Sequence, residues 1–158
     1  MNFTVAENIV LKRYYKKPYS NRGFLNYKII THKADKLIHE FDVRPPDFRL
    51  FAKNLSGGNQ QKVILAREFS SSPELLIAVQ LTRGMDVGAI EYIHRKLIEL
   101  RDSGKAILLV SLELDEILNL SDRIAVMYSG RIMDILDSKT ATKEDIGLLM
   151  TGKKKKEA

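Results

Sequence analysis

The chain has 158 residues, enough for a domain with its own hydrophobic core. Hydrophobic residues make up 44% and charged residues 29%, as in ordinary globular proteins, and no apolar run approaches the ~18 residues of a membrane-spanning helix. The lack of cysteine excludes disulfides and thiolate chemistry. The net charge of +6 is concentrated in residues 12–22, with five basic and no acidic side chains, and in the tail KKKKEA. Because no wide basic face is predicted, a nucleic acid is not expected as a partner.

The first fifty residues are predicted to be mostly helical. Between residues 12 and 26 the proline, glycine and asparagine content predicts a loop. An apolar stripe of helical period follows, and the two prolines of VRPPDFR end it because proline cannot continue a helix. The members of this stripe are Ile30, Ala34, Leu37 and Phe41.

From Leu55 onward strands alternate with helices, which predicts an α/β fold with a parallel sheet. The short apolar runs ELLIAVQ and KAILLVS are predicted to be strands buried on both faces. RIAVMYS and RIMDILD flank a glycine and are predicted to pair with each other. The predicted helices cover about 58–69, about 87–102, ELDEILNL and 142–150, and a polar tail predicted to be disordered begins at Lys153.

The stretch NLSGGNQQKVILAREF places Ser-Gly-Gly at a predicted helix start. The first N–H groups of a helix lack internal partners and attract anions. Gly57 and Gly58 have no Cβ, so a phosphate can approach the backbone closely, and the Ser56 hydroxyl can donate one further hydrogen bond. Taken alone, the same three residues are better explained as a helix cap followed by a turn.

The neighbouring sequence favours a phosphate site. LSGGNQQK (55–62) resembles the signature motif of ATP-binding cassette ATPases, in the form found in the second nucleotide-binding half of bacterial simple-sugar and nucleoside importers. LLIAVQLTRGMDVGAIEYIH is similar to that family's Walker B strand and D-loop. ILLVSLELDEILNLSDRIAVMYSGRIM is similar to its H-loop strand and the two strands after it, and FTVAENIVL resembles the start of its helical subdomain. Collinear matches over residues 3–152 are more specific than any single motif.

The resemblance implies an incomplete P-loop NTPase-like cassette domain. A helical subdomain would cover residues 1–54, a core α/β subdomain residues 55–152, and a disordered basic tail residues 153–158. In the family the Walker A strand lies between the strands that match 105–111 and 123–129. Without it two strand edges lack partners, so a homodimer, strand exchange or rearrangement is expected. GLLMTGKK fits the phosphate-loop pattern superficially, but Lys154 replaces the Ser/Thr that binds Mg²⁺.

Three positions depart from the family pattern. The Walker B Asp and Glu are replaced by Val79 and Gln80, and the H-loop His by Leu112. Valine has no oxygen for a cation, and glutamine cannot take a proton from water. No catalytic residue is therefore intact, no metal site is expected within the chain, and hydrolysis by the chain alone is not expected.

The signature motif has none of these losses. The resemblance implies that Ser56, Gly57, Gly58, Asn59 and Gln60 contact ATP and Mg²⁺ at a composite site with a second nucleotide-binding domain, and that Asp86 is the D-loop aspartate. It also implies transmembrane permease subunits as partners, a sugar or nucleoside as solute, and a cytoplasmic, peripheral location on the inner face of the cell membrane.

Two other functions are compatible with the sequence. A non-hydrolysing interaction or regulatory module derived from a cassette domain would explain the three substitutions. A cassette protein acting on ribosomes or DNA is disfavoured, because LSGGNQQK and TRGMDVGA resemble importer sequences. The basic aromatic segment KRYYKKPY is compatible with RNA contact through stacking and phosphates, but a solvated loop near a membrane partner is favoured because no RNA-binding motif accompanies it.

Overall fold

The computed structural model describes residues 2–153 and divides the chain into two compact units. The first comprises the residues up to Glu74 together with Gly84–Asp86, and the second comprises Leu75–Arg83 together with the residues from Val87 onward. The segment around the signature motif therefore lies in the first unit. The subdomain boundary after residue 54 stays a prediction.

The first unit is built mainly from three helices. They are α1 (Val5–Val10), α2 (Tyr27–Glu40) and α3 (Gly57–Phe69), with a short 3₁₀ helix over Ala52–Asn54. α1 begins at a capping box in which the Thr4 hydroxyl accepts from the Glu7 backbone and the Glu7 carboxylate accepts from the Thr4 backbone. α1 packs against both longer helices. The predicted stripe of α2 is confirmed, because Ile30, Ala34, Leu37 and Phe41 are all buried.

The segment predicted as a loop before α2 contains a small β-hairpin. Its strands are β1 (Ser20–Asn21) and β2 (Phe24–Leu25), paired antiparallel. Arg22 and Gly23 at the turn both have positive φ, 51° and 86°. This is the backbone of a type I′ turn, whose twist matches that of the two flanking strands.

The second unit contains two separate strand pairs. β3 (Leu75–Val79) and β4 (Ala106–Val110) are parallel and joined through α4 (Val87–Asp102). After α5 (Leu114–Leu120), β5 (Arg123–Tyr128) and β6 (Arg131–Asp137) pair antiparallel, and α6 (Lys143–Met150) follows. Ile124 and Val126 of β5 pack with Ile146 and Leu149 of α6 in a small core. The predicted strands and helices of this half are thus confirmed, whereas Lys154 and the rest of the tail beyond Lys153 lie outside the described residues.

The prediction that the parallel strands are buried on both faces is wrong. Along β3, Leu76 and Ala78 are buried, whereas Leu75, Ile77 and Val79 are more than half exposed. β4 adds Leu108 and Val110 to the same open face, because the register pairs Ile77 with Leu108 and Val79 with Val110. α4 contacts β4, and the exposed side chains of the two strands present an apolar face to solvent.

β4 and β5 belong to different sheets among the described residues. β4 and β5 do not pair with each other. The edges of these two strands that the family resemblance predicts to lack a partner therefore have none among the described residues. The expected homodimer or strand exchange stays a prediction. None of the helices within residues 2–153 is long and apolar enough to cross a membrane.

Candidate functional site

Ser56 caps the start of α3 with an extended backbone, φ −61° and ψ 157°. Its Oγ accepts the side-chain amide of Asn59 at 3.0 Å and the Asn59 backbone N–H at 3.5 Å. Because a hydroxyl has two lone pairs and one hydrogen, both acceptor positions are used by Asn59. The hydroxyl hydrogen is left to donate to an acceptor from outside.

The backbone beside Ser56 also offers donors. The N–H groups of Gly57 and Gly58 have no acceptor among residues 2–153, as is usual for the first turn of a helix. Open space surrounds the position where a Cβ of Gly57 would lie, and the nearest atom to a Cβ on Gly58 would be the Gly84 carbonyl oxygen at 3.7 Å. A hydroxyl and two amide hydrogens can therefore face one anion without side-chain obstruction.

Gln60 lies on the inner side of the same turn. Its backbone N–H donates to the Ser56 carbonyl at 2.9 Å, and its side-chain amide donates to the Leu55 carbonyl at 2.9 Å. These two bonds hold the Leu55–Ser56 backbone at the helix start.

The donor set suits a phosphate oxygen and does not suit a metal ion. Hydroxyl and amide hydrogens at a helix N-terminus bind anions, whereas divalent cations require oxygen ligands, mainly carboxylates. Within the described residues no group of three or more His, Cys, Asp or Glu side chains is placed to hold a metal.

Two other residues of the motif attach α3 to the segment after α2. The backbone N–H of Arg44 donates to the Asn59 Oδ1 at 2.7 Å. The Lys62 Nζ donates to the backbone oxygen of Asp42 at 2.9 Å and to its carboxylate at 3.2 Å. Asn59 and Lys62 lie three residues apart, on the same side of the helix. They form, with Asp42 and Arg44, what we call the 42–44 clamp.

The clamp is also electrostatic. A hydrogen bond from Arg44, supported by Lys62, holds the pKa of Asp42 below its usual value. The same Asp42 contact raises the pKa of Arg44, and the charge of Asp86 adds to that rise. The D-loop-like aspartate therefore lies within electrostatic range of the loop that bonds to Asn59. Sequence reasoning missed Asp42, Arg44 and Lys62; their only sequence signal is the Asn-x-x-Lys spacing.

The three substituted positions lie in the second unit, at one edge of the β3–β4 pair. Val79 ends β3, and the Gln80 backbone N–H donates to the Val110 carbonyl at 2.9 Å. Leu112 follows β4 and is 75% exposed. Parallel strands end at the same edge of a sheet, so the structure brings these residues together there. Val79 and Leu112 present hydrocarbon side chains, without an oxygen for a cation or an imidazole for a phosphate.

Comparison with known proteins gives close relatives over the whole chain. The guanosine import ATP-binding protein NupO of Bacillus subtilis is 56% identical over 158 residues, covering 100% of this chain and 31% of that protein. The nucleoside import ATP-binding protein NupA of Lactococcus lactis is 57% identical over 152 residues, covering 96% and 30%. A ribose import ATP-binding protein, RbsA of Clostridium perfringens, is 43% identical over 153 residues. The chain belongs to the ATP-binding cassette family.

Solved cassette structures share its fold. The ATP-binding subunit of an ABC transporter aligns with a TM-score of 0.76 at 20% identity, over 94% of this chain and 62% of that one. A dimeric ATP-binding cassette in a post-hydrolysis state, bound to ADP and Pi, aligns with a TM-score of 0.73 at 23% identity, over 86% and 57%. At these identities the likeness concerns the fold alone. No family model matches the chain.

The likeness covers part of a cassette protein. The chain spans about a third of the length of its curated relatives NupO and NupA. The resemblance of the sequence to the ATP-binding proteins of nucleoside and sugar importers, and its partial cassette fold, are confirmed. The roles of individual site residues rest on their geometry in this chain.

Proposed function

We propose that this cassette chain supplies the signature helix α3 to a composite ATP site in an importer of nucleosides or sugars. The observation that carries this proposal is the hydrogen bonding of Ser56, whose oxygen accepts twice from Asn59 while its hydrogen remains available. A cap serving only its own helix needs no such second acceptor bond. The arrangement orients a donor outward.

The ligand of this donor set is the γ-phosphate of ATP held mainly by a second nucleotide-binding domain. Ser56 donates its hydroxyl hydrogen, and Gly57 and Gly58 donate their backbone N–H groups from the positive end of the helix. Asn59 and Gln60 support them, Asn59 by orienting the hydroxyl and Gln60 by fixing the backbone at Leu55. Donors aligned before the reaction stabilise the charge that develops on the transferred phosphate.

Hydrolysis at the edge formed by Val79, Gln80 and Leu112 is not part of this function. Mg²⁺ that accompanies the ATP of the partner domain would neutralise phosphate charge at the composite site. This chain has no carboxylate at the Val79 position to hold such an ion and no base at Gln80 to take a proton from water. Its contribution is to close the site and orient the phosphate.

The names of the relatives support a proposal for the solute class and the other partners. NupO and NupA, at 56% and 57% identity, are named for guanosine and nucleoside import, and more distant relatives for sugars. We assign this chain the same setting, with transmembrane permease subunits as partners and a peripheral position on the cytoplasmic face of the membrane. The open apolar face of β3 and β4 is then a surface on which a further segment packs, whether from the same protein or from a second copy.

A non-hydrolysing interaction or regulatory module is the second candidate. It is favoured by the hydrocarbon side chains at the Val79 and Leu112 positions. The two candidates differ in their effect on ATP turnover, because a regulatory module would bind its partners without changing it.

The test is ATP turnover by the assembled transporter containing Ser56→Asp. Aspartate caps a helix as well as serine does, but its carboxylate repels a phosphate. We expect loss of ATP turnover with normal assembly, whereas Ser71→Ala, at the other end of α3, keeps turnover. Unchanged turnover in Ser56→Asp would favour the regulatory module.

A further inference from the structure

The hairpin before α2 is held firmly by the first unit. The ring of Tyr19 is buried, and the Arg13 guanidinium lies over it at 5.9 Å. Arg13 also donates to the Oγ of Ser70 at 3.1 Å and to its carbonyl oxygen at 3.3 Å, at the end of α3. A type I′ turn forms the tip of the segment from Lys12 to Lys28, and Arg13 attaches this segment to the end of α3; we call it the basic hairpin.

The basic hairpin exposes aromatic side chains. Phe24, next to the turn, is 81% exposed, Tyr15 is 62% exposed and Tyr27 is 59% exposed. Tyr14 is also exposed, and its ring meets that of Tyr15 edge-on. A monomeric protein scatters single exposed apolar residues, but a cluster on one supported segment marks an interaction surface.

The same segment carries an excess of positive charge. Residues 12–28 contain six Lys and Arg and no Asp or Glu. Lys12 pairs with Glu68, and Arg13 is used in packing. Within the described residues, Lys16, Lys17, Arg22 and Lys28 have no carboxylate partner. Lys16 lies 5.6 Å from the ring of Tyr15, so cation and aromatic face outward together.

We infer that the basic hairpin binds an anionic phospholipid surface. Lysine and arginine are attracted to acidic headgroups, and tyrosine and phenylalanine are favoured at the level of the headgroups. Single-stranded RNA fits less well, because it requires flat rings on which successive bases stack, whereas the Tyr14 and Tyr15 rings are 83° apart. This inference rests on the proposed function in one respect, the location of the chain beside a membrane.

Vesicle flotation tests this inference on the full chain. Vesicles of phosphatidylcholine mixed with phosphatidylglycerol are expected to carry the chain, and vesicles of phosphatidylcholine alone are not. The double variant Lys16→Glu, Lys17→Glu should bind the anionic vesicles more weakly by a factor of about ten or more. Phe24→Ser should bind them several-fold more weakly. The control Arg131→Glu, Lys139→Glu makes the same change in net charge on exposed positions of the second unit and should bind as the unaltered chain does.

Three results would overturn the inference. One is equal binding to both vesicle types. Another is an equal effect of the two double variants on binding, whether both weaken it or neither does. Attraction of the vesicles to the lysine tail would give that result. The third is hairpin-dependent binding of a labelled single-stranded RNA with no binding to anionic vesicles. The vesicles contain neither nucleotide nor permease, so Ser56→Asp should float normally, and failure here leaves the composite-site proposal untouched.

Discussion

The backbone N–H of Arg44 donates a 2.7 Å hydrogen bond to the side-chain oxygen of Asn59, whose amide nitrogen in turn donates to the Ser56 hydroxyl. One asparagine thus joins the segment after α2 to the donor at the start of α3. The position of the Ser56 hydroxyl therefore depends, through Asn59, on Arg44, which lies fifteen positions before that asparagine in the chain.

Substitutions at Asn59 should separate these two bonds. Asn59→Ala loses both and is expected to lower the free energy of unfolding by about 1–3 kcal/mol, measured by urea denaturation. Asn59→Asp keeps an acceptor for Arg44 but cannot donate to Ser56. We expect it to be as stable as the unaltered chain and still to reduce ATP turnover in the assembled transporter. Equal turnover in Asn59→Asp and the unaltered chain would mean that Asn59 does not orient Ser56.

Truncating the side chains at Gln80 and Leu112, beyond the ends of β3 and β4, should not change ATP turnover. Because Gln80 and Leu112 have no role in hydrolysis in this account, Gln80→Ala and Leu112→Ala should leave ATP turnover by the assembled transporter within about twofold, a difference of well under 1 kcal/mol in activation free energy. A fall of a hundredfold in either variant, with assembly intact, would show that this edge takes part in catalysis.

The open face of β3 and β4 should cause self-association of the isolated chain. Exposed apolar surface of this extent is unfavourable in water, and unpaired strand edges invite pairing. We expect sedimentation to show dimers or larger species, and Ile77→Lys with Leu108→Lys to shift them toward monomer. The control Ile64→Lys replaces an exposed isoleucine on α3 and should not. A chain that is monomeric at every concentration tested would refute the predicted association.

Stability should fall in acid partly through Glu68. Burial raises the pKa of this carboxyl, but hydrogen bonds from Lys12 and Arg67 outweigh that effect and hold the pKa below its usual value. The native state therefore binds this proton less readily than the unfolded chain does. The stabilisation is present above the unfolded-state pKa, about 4.3, and is lost as the pH falls through the lower folded-state value.

Glu68→Gln removes this titration. The variant should be less stable than the unaltered chain at neutral pH, and the difference should shrink in acid. Denaturant titrations over a pH series measure both quantities. A difference that is constant with pH would contradict the assignment, and Glu144→Gln, on an exposed residue of α6, is the matched control.

The sequence predicts most elements of the fold because their signals are local. α3 and α4 match their predicted bounds closely, since glycines, serines and apolar stripes mark where they begin and end. The hairpin before α2 was missed because its turn places Arg22, rather than Asn or Asp, at positive φ. The open face of β3 was missed because an apolar run predicts burial without showing which neighbours are present.

The candidate site was predictable only in part. Ser56, Gly57 and Gly58 lie together in the sequence, so their shared direction follows from one helix start. The partners of Asn59 and Lys62, however, are contributed by Asp42 and Arg44, and contacts between distant segments leave no local pattern. The acceptor role of Ser56 toward Asn59 likewise depends on side-chain geometry.

Ser56 is proposed to face a phosphate held by another domain, and a disulfide crosslink to that domain tests whether the two lie close together. The chain has no cysteine, so Ser56→Cys provides a single thiol to pair with a cysteine placed in the partner's phosphate loop within the assembled transporter. We expect a crosslink that forms with ATP and Mg²⁺ and not without nucleotide, while Ser71→Cys gives none in either condition. No crosslink with ATP, or an equal yield without nucleotide, would contradict it.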